Sequence, residues 1–298
     1  MTKETTEKVS PIQRVVNTVL DCIRKEGILP WQDPRPKKNS GVPYRVGTLS
    51  ASKEPEHYSG LNMVALWAPC ARESVPCFGT LKQWNEWGFR VKKGSKSLPV
   101  VYANKVDKKD KDGNKTNDSY FLWRTSNVFP YSMVEPDTVE EGDKFLQTYY
   151  KAEGHTPQPE PIKVKDFLNK FGIRYEGEGP HPKVDSTGSA ILPNIYSYAG
   201  SSEEKESSYF YDLFRVSTTY ALKKNVEELA KPENVDILEL ASAIATYQLM
   251  LRFKVPFNHF ATLNSAHELR TIGGKLEANP KLLQTAARRG LDIVGMVK

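Results

Sequence analysis

The sequence predicts an α+β protein: a front unit of helices with a small antiparallel sheet, then a mainly helical back unit. Three observations predict it. Apolar residues recur at helical spacing in both halves, most clearly at Ile12, Val15, Val16, Val19, Leu20 and Ile23. Two strand-like runs, LPVVYANKV (98–106) and YFLWRTSNVF (120–129), flank a polar loop around Asp112-Gly113, a strong hairpin signal. Charge and tryptophan also divide unevenly. Residues 1–130 hold 22 Lys/Arg against 13 Asp/Glu, a net +9, and all five tryptophans; residues 131–298 hold 20 against 23, a net −3.

The elements follow in order. Ser10-Pro11 supplies an N-cap and a first helical residue, and Gly27 ends that helix. Residues 30–59, with five prolines, read as a long irregular segment, the kind that is usually functional or mobile. GLNMVALW (60–67) predicts a short buried helix. Thr80 caps LKQWNEW, which Gly88 ends, and VKKGSK (91–96) is a basic turn into the hairpin. Residues 131–162 read as a connection around one possible helix, 138–152. Beyond it come a short helix at VKDFLNKFG, a small hairpin turning at Ser186–Gly188, and helices over 203–224, 234–253 and roughly 259–277. Gly273-Gly274 is expected to break the third, and Asn279-Pro280 caps a last one. The predicted units are therefore 1–130, a linker 131–162, and 163–298.

With 298 residues, 39% hydrophobic and 26% charged, the chain is neither disordered, collagen-like nor a disulfide scaffold. No run of 18 apolar residues occurs, so no membrane partner is expected. The opening MTKETTEKVS has no apolar core or cleavage site, so a cytoplasmic location is expected, in the host cell if a phage encodes the chain. Cys22, Cys70 and Cys77 read as reduced thiols.

Two clusters carry chemistry. Lys82, Arg90, Lys92, Lys93 and Lys96 interleave with Trp84, Trp87 and Phe89. Single-stranded nucleic acid is held by cations that track phosphates and aromatic faces on which bases stack, each stacked base being worth roughly 1–3 kcal/mol. Against this, Trp84 and Trp87 stand at i and i+3, which places at least one in the core. The second cluster is Arg35, Lys37, Lys38 and Arg45 with Trp31 and Tyr44. The loop 105–115 is nearly balanced by Asp107, Asp110 and Asp112 and reads as a solvated tip.

Enzymatic signals are weak. His267-Glu268 lacks the second histidine at i+4, where Thr271 stands, and His259 is two turns away. A site built from His259, His267, Glu268 and a distant third group is the competing reading. No phosphate-binding glycine loop occurs, and no cofactor is expected.

The front unit resembles the N-terminal domain of the ArdC antirestriction family. PWQ (30–32) and NSGVPYR (39–45) are similar to that family's N-x-T-G-x-P-Y-R loop, with residues 46–57 inserted before the next block. YSGLNMVALW (58–67) resembles Y-x-G-I-N-x-x-x-L-W, and TLKQWNEWGFRVKKGSKSLPVVY (80–102) resembles its most specific strip, T-x-K-Q-x-x-x-x-G-x-x-V-x-K-G-E-K-x-x-P-V-V. The resemblance implies binding of single-stranded DNA. The back unit resembles the family's zincin-like peptidase domain in degenerate form. There a helix reading Y-Y-x-x-L-x-H-E-L-x-H supplies two zinc ligands and a general base. Here YFYDLFRVSTTY (209–220) puts Arg215 and Thr219 at the ligand positions and Val216 at the base, and the third ligand falls near Ala243.

The expected protein binds single-stranded DNA and performs no catalysis. Its expected role is in phage transcription, bringing an RNA polymerase to melted DNA, or in replication beside a replication protein. Antirestriction, protecting an incoming single strand, is the alternative. A hydrolase with an unrecognised site is an alternative of another class. The helical unit is the expected surface for oligomers.

Overall fold

Ser10 opens the first helix as the capping pattern predicts. Its hydroxyl accepts the N–H of Gln13 at 3.2 Å, and α1 (Pro11–Glu26) ends at Gly27 with φ 65°. Val15, Val16, Val19 and Leu20 face inward and are buried. The computed structural model describes residues 9–30, 42–109, 115–155, 161–255 and 266–297.

The segment expected to be irregular contributes a short strand, β1 (Tyr44–Arg45), which pairs in parallel with β2 (Cys77–Gly79). Between them lies α2 (Gly60–Ala71). It is buried on nearly every side, with Val64, Leu66 and Trp67 at 0% exposure. The indole N–H of Trp67 has no partner among the described residues. That omission costs about 1–3 kcal/mol, less than burying three such side chains at about 1.5–3 kcal/mol each. Next come α3 (Leu81–Glu86) and β3 (Phe89–Val91), then the long hairpin β4 (Leu98–Lys109) and β5 (Lys115–Pro130). The Asp112-Gly113 turn lies outside the described residues. Pairing on either side of it runs antiparallel from Leu98 opposite Val128 to Lys109 opposite Lys115. The sheet order is β1-β2-β5-β4, antiparallel apart from its first pair.

Residues 131–162 do more than connect. β6 (Val134–Pro136) pairs with β3, and α4 (Val139–Gly154) starts with a capping box between Thr138 and Glu141. Phe145, Tyr149 and Ala152 of α4 are buried in one cluster with Tyr44, Trp84 and Phe89. The stretch read as a linker thus completes the front core.

The back half follows the helical reading: α5 (Val164–Lys170), α6 (Ser202–Asn225), α7 (Val235–Arg252), α8 (Ala266–Ala278) and α9 (Lys281–Gly295). A three-stranded sheet lies between α5 and α6. The expected hairpin is β8 (Lys183–Val184) with β9 (Ser189–Leu192), and β7 (Arg174–Glu178) adds in parallel to β9. Gly273-Gly274 does not break α8; Gly273 is buried, and a Cβ there would lie 3.9 Å from Leu20 of α1. Gly290 lets α9 approach α7 closely: a Cβ would lie 3.0 Å from the Ala241 carbonyl oxygen. Cys22, Cys70 and Cys77 are buried.

The largest core ignores the predicted unit boundary. Val15, Val19, Leu61, Val64 and Trp67 of the front share it with Leu213, Ala241, Ile244, Leu283 and Ala286 of the back. Among the described residues no helix is long and apolar enough to cross a membrane.

Candidate nucleic-acid interface and the remnant cleft

The capping box at Thr80 and Gln83 fixes the start of α3 and turns Trp84 inward. Trp84 is 0% exposed and packs against Phe89 and Phe145 at ring-centroid distances of 5.4 and 5.3 Å. Trp87 is half-buried, edge-on to Phe145 at 5.3 Å. Gly88 follows with φ 73°, and a Cβ there would meet the Glu141 carboxylate at 2.2 Å. The positive φ favours glycine here, and a larger residue would displace the Glu141 side chain.

The structure therefore corrects the expected stacking set. Trp84 and Tyr44 are core residues with no face to offer a base, because α4 covers them. Arg45 lies with its guanidinium 5.2 Å from the Tyr58 ring centroid, and its Nε is buried without a partner among the described residues. Two further cations are engaged by carboxylates: Lys82 with Glu86 at 3.8 Å, and Arg90 with Glu135 at 2.9 Å and Asp137 at 3.9 Å. Trp31, Arg35, Lys37 and Lys38 lie outside the described residues.

Three cations stand clear. Lys92, Lys93 and Lys96 are exposed on the turn between β3 and β4, which closes through the Ser95 N–H to the Lys92 carbonyl at 3.1 Å. Gly94 supplies its left-handed residue, φ 86°. The Lys92 ammonium donates to the Ser132 carbonyl at 2.8 Å; Lys93 and Lys96 make no ion pair among the described residues.

The exposed aromatics lie one strand further on. Tyr102 of β4 and Trp123 of β5 are 42% and 40% exposed, and Leu122 and Arg124 beside them are exposed too. Tyr102 pairs with Arg124, and Ala103 with Trp123, so the two rings stand on opposite faces of the hairpin. Val100 and Val128 are still buried, so the cover ends between positions 100 and 102. Leu98 to Tyr102 spans about 13 Å of strand, which sets the basic turn and the first ring along one edge. The sequence reading missed these residues. The available signal was length: strands this long outrun the small core beneath them.

In the back half, the four positions matched to the peptidase site line two neighbouring cavities that share Arg215. Arg215, Val216 and Thr219 line one cavity, and Arg215 and Ala243 line its neighbour. Hydroxyls fill the space between α6 and α7. The Thr219 hydroxyl lies 2.8 Å from the Arg215 carbonyl and 2.7 Å from Ser242 Oγ, and Thr218 lies 3.0 Å from Ser242 Oγ and 3.2 Å from Thr246 Oγ1. His267 and Glu268 line the second cavity with Asp236 and Glu239, while the hydroxyl of Thr271 donates to the His267 carbonyl at 3.0 Å.

Residues 10–129 match the model of the family described as the N-terminal domain of anti-restriction factor ArdC. Over these residues the chain is similar to an ArdC N-terminal domain. The similarity in fold extends over the whole chain. The metal-free crystal structure of the antirestriction protein ArdC from the R388 plasmid aligns with a TM-score of 0.70 and 17% identity, covering 96% of both chains. The Mn(II)-bound structure of the R388 protein aligns at 0.65 and 16%, again over 96% of both. No curated protein matches.

The ArdC fold raises the question of a metal. The matched positions do not fit one. Arg215 brings a permanent positive charge, Val216 and Ala243 bring no donor, and the Thr219 hydroxyl is engaged by Arg215 and Ser242. Among the described residues no three His, Cys, Asp or Glu side chains gather closely enough to hold an ion.

Proposed function

We propose that this ArdC-type protein binds single-stranded DNA without catalysing a reaction on it. The observation that carries the reading is the turn bearing Lys92, Lys93 and Lys96, exposed and continuous with a strand that carries the exposed Tyr102. Cations can track the phosphates along this edge while Tyr102 and Trp123 offer faces to unstacked bases. Stacking needs bases that are already separated, so single strands bind more tightly than duplex of equal length, with little sequence preference. Fluorescence anisotropy on matched oligonucleotides tests this; equal or tighter duplex binding refutes it.

The biological role we favour is antirestriction, on the strength of the family match and of the likeness to the antirestriction protein of the R388 plasmid. Coating an incoming strand denies it to nucleases without any chemistry by the protein. Recruitment of an RNA polymerase to melted DNA, the role preferred on sequence grounds, uses the same binding surface, but no observation of the fold favours it. A strand-protection assay against a nuclease and a melted-promoter transcription assay separate the two.

A further inference from the structure

Arg215 stands at the junction of two cavities, and the larger one has an unbalanced charge. Its volume is about 660 Å³, between the β8–β9 turn and the middle and end of α6. Lys183, Arg215, Lys223 and Lys224 line it against one carboxylate, Asp185. Asp185 is already engaged: its Oδ1 accepts the Thr187 N–H at 2.8 Å, the Thr187 hydroxyl at 2.7 Å and the Ser189 N–H at 3.0 Å. None of the four cations forms an ion pair among the described residues, although Lys183 lies near enough to Asp185 to stabilise its charge. The carboxylates of Asp236, Glu239 and Glu268 belong to the neighbouring cavity on the far side of Arg215, and Asp236 is paired with Lys275.

Like charges around a concave, partly apolar wall focus their field into the space between them and attract an anion. The Arg215 fork is held in place, its Nη1–H donating to the Glu239 carbonyl on α7 at 3.2 Å. Lys224 is steadied over the Tyr220 ring, 5.5 Å from its centroid. Val184, Val216 and Tyr220 supply an apolar side. The space exceeds that of a bare oxyanion and lies within the range of about 300–1,000 Å³ typical of small-ligand pockets. We propose that the cleft at the degenerate peptidase site is a phosphate-binding pocket, in which lysine ammonium groups and one oriented guanidinium receive a phosphate while the apolar side receives what the phosphate carries. The phosphate can come from a free nucleotide or from the backbone of a single strand. The proposal stands on this cleft alone and does not depend on the front surface.

Isothermal titration calorimetry on the full chain tests it with three probes: inorganic phosphate, deoxythymidine 5′-monophosphate, and a 5′-phosphorylated tetrathymidylate. At least one is expected to bind, with affinity falling about tenfold or more in Lys223→Gln/Lys224→Gln and in Arg215→Met. Equal affinity for the mononucleotide and the oligonucleotide assigns the phosphate to a free nucleotide; a marked preference for the oligonucleotide that is lost in Lys223→Gln/Lys224→Gln assigns it to the strand. Arg215 bridges two helices, so the exposed lysine pair is the variant whose folding is not at stake. Failure of all three probes to bind the unaltered protein, or full affinity in the lysine variant, overturns the proposal. The phosphate and mononucleotide arms read out whether or not the front surface binds DNA.

Discussion

The indole N–H of Trp84 donates to the backbone carbonyl of Phe129 at 2.9 Å, tying α3 to the end of β5. A ring committed in this way, at 0% exposure, holds the basic turn in place from beneath and takes no part in stacking. Trp84→Phe removes the donor and leaves a carbonyl without its partner. Urea denaturation should show a loss of about 1–3 kcal/mol, while the folded fraction keeps its affinity for single strands. Weakened binding at unchanged stability would return Trp84 to the interface.

Tyr102 and Trp123 should behave in the opposite way. Each is partly exposed, so truncation to Ala should change the melting temperature little. Each ring that stacks on a base should contribute about 1–3 kcal/mol of affinity. Anisotropy with a short thymidylate strand reads this directly. Two silent substitutions would move the aromatic platform elsewhere.

The lysine turn predicts a salt signature. On single strands log K falls with log[salt] by about 0.7 per phosphate contact, so Lys92→Ala/Lys93→Ala should reduce the slope by roughly 1–1.5. An unchanged slope would shift the contact surface towards Arg35–Arg45.

Metal removal should have no effect. Protein purified without a metal-affinity tag should carry no stoichiometric zinc or manganese by elemental analysis, and chelators should change neither its melting temperature nor its affinity for DNA. About one ion per chain, lost together with either property, would show that His267 and Glu268 or other groups build a site that Arg215, Val216, Thr219 and Ala243 do not.

Asp185 predicts a pH dependence. The Thr187 hydroxyl, the Ser189 N–H and the Thr187 N–H all bond its charged form, holding the carboxyl below its ordinary range. A depressed folded-state pKa gives stability that is present above the unfolded-state value, near 4, and is lost as pH falls through the folded-state value. Asp185→Asn should therefore lower the melting temperature at pH 6, with the gap to the unaltered protein closing below about pH 4. A gap independent of pH would mean that the turn is held by its neutral hydrogen bonds alone.

Local signals were legible in the sequence wherever one residue sets a boundary. Ser10, Gly27, Thr80 and Gly88 mark helix ends, and the fold places the ends there. Facing was harder to read. The i, i+3 spacing of Trp84 and Trp87 says that one side of a short helix is aromatic, but what covers it comes from α4, more than fifty residues on. Phe145, Tyr149 and Ala152 already carried the i, i+4, i+7 spacing of a buried face, inside a stretch whose prolines and acids suggested a connection. At Gly273 the packing against Leu20 outweighs a helix cost of about 1 kcal/mol. Tyr102 and Trp123 could not be assigned from alternation, since it gives the two faces of a strand but not where the cover over them stops.

The shared core bears on what selection can discard. Val216 and Ala243 border open space, where side chains can drift at little cost. The helices that carry them, α6 and α7, together with α9, shelter Val15, Val64 and Trp67 of the front half. A lineage that needs only the front half would therefore still be obliged to inherit the rest. The side chains bordering the cleft are replaceable residue by residue, and the helices that carry them are not.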